Sequence, residues 1–214
     1  MANFGTEMGV TGVPSFNGRE ADRYLTELQG PEGVQTMARI LRREPAAYTV
    51  QNAIRLTARQ ATWKSIPATD AAGDRRAAEF VEQCLEDMSH TLWKALSFAL
   101  SCQAFGFADL HIVYKRRSGP VARGSSPSSL FNDGLVGLRK LAIRRQETID
   151  SWERDDNGDP KFMVQIDPDT GKKLVPVPVE RMLHFIGGDD RGAWEGIGWL
   201  EPAYKLWHMI QGLE

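Results

Sequence analysis

Apolar residues recur at helical spacing in the first half of the chain and at alternate positions in the second, so the pattern predicts an α+β fold with its helices first. Val34, Met37, Ile40 and Leu41 mark one helical face, which Pro45 interrupts. A second helix is expected from Ala46 to Thr62, after which Trp63–Pro67 alternates like a short strand. The run RRAAEFVEQCLEDM reads as a third helix capped by Asp70 or Asp74, and Ser89 is the expected cap of a fourth. That fourth helix, HTLWKALSFALSCQAFG, is apolar around nearly its whole circumference, which places it at the centre of the fold, and Gly106 stops it.

From Phe107 the period changes to two. FADLHIVYKRR sets Ala108, Leu110, Ile112 and Tyr114 against Asp109, His111 and Lys115. Short strand-like runs follow at LVGLRKLAIRR, TIDSWER, KFMVQI, LVPVPV and RMLHFI, and Pro202 stands in the first turn of a closing helix. Five regions result: a flexible arm over 1–33, a helical region with edge strands over 34–117, a mobile Gly/Pro/Ser loop over 118–134, a β-rich meander over 135–186, and a loop leading into the start of a long helix over 187–214.

Composition narrows the class. With 214 residues, 42% of them hydrophobic and 25% charged, the chain can bury a real core. A net charge of −2 weighs against a general nucleic-acid binder but leaves room for local basic patches. Cys84 and Cys102 lie in helix-like runs without CxxC spacing, which suits a reduced intracellular setting. No window is apolar enough to span a membrane, and the N-terminus lacks the basic start and apolar core of a signal peptide, so the cytoplasm is the expected site of synthesis and assembly.

The stretch RDDNGDPKFMVQIDPDTGKK concentrates aspartates and invites a calcium reading. Glu153, Asp155, Asn157 and Gly158 fit the start of an EF-hand loop, but Val164 stands where the closing carboxylate is required. Gly171-Lys172-Lys173 fails the phosphate-loop pattern in the same way. Two hairpin turns, at Asp156-Asn157-Gly158 and Asp169-Thr170-Gly171, account for the residues better. His90, His111, His184 and His208 have no metal-binding spacing, Asp155/Asp156 and Asp189/Asp190 read as solvated turns, and Gly196-Ile197-Gly198 lacks the third glycine of a dinucleotide loop. No catalytic, metal or cofactor residue is therefore expected. Charge is more informative: Lys115 to Arg145 holds eight basic residues and one acid, whereas Glu147 to Asp190 holds eleven acids and five bases.

Six segments in order, TARQATWKSIPA, AAEFVEQCLEDM, LWKALSFALSCQAFGFADLHIVYKRR, GLRKLAIRRQETIDSWERDDNGDPKFMVQ, VPVERMLHFIGGD and GIGWLEPAYKLWHMI, resemble portal proteins of tailed bacteriophages, especially the Mu-like branch. The resemblance runs from Val34 onward and implies a wing region of helices and sheet, the beginning of a helical stem, and a ring of about twelve copies at the virion head vertex. It further implies that double-stranded DNA passes through the ring, and that the packaging terminase, capsid and head-tail adaptor proteins dock on it. No chemistry or cofactor of its own is implied, and no membrane. The hairpin from Trp152 to Val164 would project toward a partner, giving Trp152, Asp155 and Asp156 as expected partner or oligomer contacts, with Lys115, Arg116 and Arg117 on the basic side. Portal proteins are normally longer, so an N-terminal portion is expected. Two other readings stay open: a monomeric or small-oligomer binding module that uses the basic segment on nucleic acid, and a metal-dependent nuclease built on Asp155, Asp156 or Asp189.

Overall fold

The computed structural model describes residues 15–16, 19–20, 26–120, 128–188 and 193–212. Most of the expected arm, the loop residues 121–127 and Asp189/Asp190 lie outside them. After a two-residue antiparallel pair, β1 (Ser15–Phe16) with β2 (Arg19–Glu20), come three helices: α1 (Gly30–Arg43), α2 (Pro45–Arg59) and α3 (Ala72–Glu86). Pro31 and Pro45 each sit in a helix's first turn, where their missing N–H costs nothing. Thus α1 starts inside the expected arm, at Gly30.

Trp63–Pro67 forms no strand. Trp63 is 61% exposed, and the segment is held instead by the Ser65 N–H, which donates to Glu82 of α3 at 3.2 Å. Neither Asp70 nor Asp74 caps α3. Asp74 accepts from the Thr69 hydroxyl, and the cap position falls to Ala71. Thr91, not Ser89, stands at the N-cap of the next helix and accepts from the Lys94 N–H, while the Ser89 N–H donates to the Arg139 carbonyl at 2.8 Å. The expected central helix is split in two, α4 (Leu92–Ala99) and α5 (Cys102–Phe105), yet it is central as expected: Ala95, Ala99, Cys102, Ala104 and Phe105 are all buried.

Two three-stranded antiparallel sheets follow. The first has the order β4 (Val136–Arg144), β3 (Phe107–Arg116), β8 (Met182–Ile186), and the second the order β5 (Ile149–Arg154), β6 (Pro160–Gln165), β7 (Val177–Pro178). The second is the meander expected from turn chemistry, with Gly158 and Gly171 at positive φ in its two turns. Helix α6 (Leu200–Gln211) closes the described chain.

Three apolar clusters hold these pieces. Leu28, Met37, Ile40, Phe105, Leu200 and Tyr204 join α1, α5 and α6. Met88, Ala95, Leu110 and Leu141 join α3 and α4 to one face of the first sheet. Phe107, Ile149, Trp152, Met163 and Met182 join its other face to the second sheet. The first sheet is therefore covered on both sides, which is why the simple alternation expected for β3 fails. Phe107, Ala108, Asp109 and Leu110 are all buried. Where β3 and β4 slip register at Val113/Tyr114, the outward and inward positions also exchange. Tyr114 is 52% exposed, and Lys115 turns in toward α3.

Candidate functional site

Of the six residues expected at a contact surface, three are interior. Lys115 at the end of β3 is buried and uses all three ammonium hydrogens: it donates to the Asp87 carbonyl at 2.6 Å and the Ser128 carbonyl at 2.8 Å, and pairs with the Asp87 carboxylate at 2.9 Å. Asp87 also accepts from the Ser129 hydroxyl at 2.6 Å and the Leu130 N–H at 2.8 Å. Burial alone would raise the Asp87 carboxyl, but the bonds from Ser129, Leu130 and Lys115 outweigh it and hold it below the usual carboxylate range.

Arg117 is 1% exposed, donates to Gln83 at 2.7 Å, pairs with Asp133 at 2.9 Å, and lies between the rings of Phe80 and Phe131. These two cations hold residues 128–133 to α3 and to the Asp87 cap that follows it. Backbone bonds from Arg117 to Leu135 and from Gly119 to Phe131 extend the β3–β4 hairpin into the expected loop.

Trp152 is the third interior residue, at 1% exposure. Its indole N–H donates to Glu195 at 2.9 Å, and its ring meets His184 and Trp194 edge-on. His184 stacks flat on Trp194, with centroids 4.1 Å apart, and bridges the Trp194 carbonyl through Nε2 and the Asp109 carboxyl through Nδ1, each at 2.8 Å. A carbonyl only accepts, so Nε2 carries a proton, and a second proton lies between Nδ1 and Asp109. Burial pushes the Asp109 carboxyl up, against the opposing pull of the His184 hydrogen bond and charge, and its second oxygen has no donor among the described residues. Asp109 is thus suited to holding that second proton itself. Asp109→Asn, whose amide can donate to Nδ1, is expected to cost about 1 kcal/mol or less, whereas His184→Ala is expected to cost about 2 kcal/mol by stranding the Asp109 carboxyl. Urea denaturation of both variants checks this, and equal losses would show that the donor direction is reversed.

Arg116, Asp155 and Asp156 are at the surface, as expected. Asp155 shapes the β5–β6 turn by accepting from the Asn157 and Asp159 N–H groups at 2.9 and 3.0 Å. A second basic group was not singled out from the sequence. His111 and Arg144 meet at 2.7 Å, with Lys140 and Arg181 close enough to act on His111. Burial first, then the charges of Arg144, Arg181 and Lys140, hold His111 below the ordinary histidine range, so it accepts from the guanidinium as a neutral ring. The signal available in the sequence was the spacing of Lys140 and Arg144, two residues on the same face of one strand.

A concavity of about 880 Å³ runs between Trp63 and the α3–α4 junction, lined by Val81, Leu85, Met88 and Leu92, with Glu82 and Glu86 also on its wall. No group of three potential metal ligands comes together among the described residues. No helix there is long and apolar enough to cross a membrane. The glycines of Gly196-Ile197-Gly198 serve packing: Gly188 and Ile197 exchange two backbone bonds of 2.9 Å, and Gly198 lies against the Ala104 carbonyl.

No curated protein matches the chain. A family model described as the portal protein of Mu bacteriophage matches residues 34–212, from the first turns of α1 through the whole of α6. With nearly every structured element inside that match, the chain belongs to the family of portal proteins of Mu bacteriophage.

Proposed function

We propose that the chain is a structural subunit of a phage portal ring, a DNA conduit at the head vertex on which packaging and head-tail proteins dock. The observation that carries this reading is the family match over residues 34–212. In this reading residues 34–117 and 135–186 form the wing, and α6 begins the stem. Exposed apolar side chains support it, since a lone chain gains nothing by leaving them in water: Tyr48 and Leu56 of α2 are 57% and 60% exposed, and Leu206 and Met209 of α6 are 67% and 60% exposed. Neighbouring copies would cover these helices.

The reading as a small nucleic-acid-binding module loses much of its support, because Lys115 and Arg117 are committed to Asp87 and Asp133 and leave little basic surface at the end of β3. A modest net charge of −2 suits a conduit, through which DNA has to slide rather than stick. Light scattering of the purified chain, with negative-stain images, tests the proposal. The expected result is a closed ring of about a dozen copies. A monomer at all concentrations would overturn ring formation by this chain.

A further inference from the structure

The first sheet carries a positive ledge that no carboxylate neutralises among the described residues. The ladder sets His111 opposite Ala142 and Val113 opposite Lys140, so His111, Lys140 and Arg144 share a face, and Arg181 precedes Met182, the β8 partner of His111. Arg144 stands opposite Asp109 in the ladder, yet the two side chains turn apart, Asp109 to His184 and Arg144 to His111. Among the described residues no carboxylate pairs with Lys140, Arg144 or Arg181, and the buried Nε of Arg144 has no acceptor. A partly buried guanidinium whose nearest partner is a neutral histidine is short of an anion.

The same chain carries a matching group. Asp155, Asp156 and Asp159 are exposed at the tip of the β5–β6 hairpin and make no ion pair among the described residues. Arg154 beneath them is occupied with the Gly158 carbonyl at 2.8 Å. The turn is pre-shaped by the Asp155 bonds to Asn157 and Asp159, so little order has to be imposed when it docks.

We infer that the acidic turn Asp155–Asp159 of one copy docks on the His111–Lys140–Arg144–Arg181 ledge of the next. Two different patches of one chain then meet head to tail, a contact that generates a ring when the rotation between copies closes. The inference rests on the ring reading and names one contact within it. A nucleic-acid phosphate has the same charge chemistry, but a ledge of three cations on a net acidic chain favours a localised carboxylate cluster over a long phosphate backbone.

The test uses exposed or half-exposed positions and leaves Arg144 and Asp155 in place. Lys140→Glu/Arg181→Glu and Asp156→Lys/Asp159→Lys are each expected to weaken self-association about tenfold in sedimentation or light scattering at low salt, with circular dichroism showing an intact fold. A chain carrying all four substitutions restores the contact with its signs exchanged, and association is expected to return to within about threefold of the parent. Rings that form equally well in every variant would overturn this contact and leave the ring reading standing. A four-substitution chain no better than its two parents would also overturn it, as would a ledge reversal that abolishes duplex DNA binding while association persists. A monomeric parent chain would overturn both the contact and the ring.

Discussion

Asp87→Ala is expected to lower the unfolding free energy by about 3–5 kcal/mol, because it leaves the Lys115 ammonium buried with its charge uncompensated. Lys115 would keep its two carbonyl acceptors, on Asp87 and Ser128, but lose its carboxylate partner. The Ser129 hydroxyl and the Leu130 N–H lose their acceptor at the same time, so residues 128–130 are expected to come away from the end of α3. Urea denaturation reads the loss of stability, and limited proteolysis between Ser118 and Leu135 reads the release. The compensating chain Asp87→Ala/Lys115→Met removes charge and counter-charge together and is expected to recover most of the loss, since an apolar replacement of a buried pair is often nearly neutral. A single-variant cost under about 1 kcal/mol would mean that the pair is hydrated and that Arg117 alone anchors the segment.

This anchorage also marks where reading the sequence stops working. Lys115 and Arg117 looked like surface charge because lysine and arginine almost always are, and nothing local reveals that their carboxylate partners, Asp87 and Asp133, wait on either side of them along the chain. Period two could not show the register slip at Val113/Tyr114, beyond which Lys115 lies buried, since a bulge is a property of two strands together. Asp109 and His184 are 75 residues apart and become neighbours only through the β3–β8 pairing. Trp152 was placed correctly on the β5–β6 hairpin but on the wrong side of it, because the burial of that side depends on the first sheet lying against it.

What was legible was local or ordered. Gly158 and Gly171 mark their turns, and Pro45 the break between α1 and α2, because each acts through its own backbone angles. The family was legible because six weak segments keep their order along the chain, an order that composition alone does not carry. Turn chemistry placed Asp155 and Asp156 in a solvated turn, and both lie at the surface. The basic ledge needed the sheet, since it joins β3, β4 and the residue before β8.

Gly106→Ala is expected to cost at least about 3 kcal/mol, combining the strain of a side chain at positive φ with the displacement of packed backbone. Gly106 has φ 95°, and a Cβ there would lie 1.8 Å from the Gly196 carbonyl oxygen. Gly198→Ala is expected to lose a similar amount for a different reason, a Cβ 1.9 Å from the Ala104 carbonyl oxygen, which belongs to backbone that cannot rotate away. Gly73→Ala in the first turn of α3, where nothing lies within 4 Å of the added carbon, is the control and is expected to gain about 0.5–1 kcal/mol. Thermal melts of the three variants separate crowding from the general effect of glycine replacement. Gly106→Ala within about 1 kcal/mol of the parent would show that the crossing can open. The crossing ties the end of α5 and the end of β8 to the start of α6, through the Gly187 N–H to Gly106 at 2.6 Å and the Trp199 N–H to Gln103 at 2.9 Å. It therefore sets the direction in which α6 leaves the sheet. A variant that still folds with the crossing spread apart would carry its exposed Leu206 and Met209 in a new direction, so in a ring its assembly would fall further than its stability.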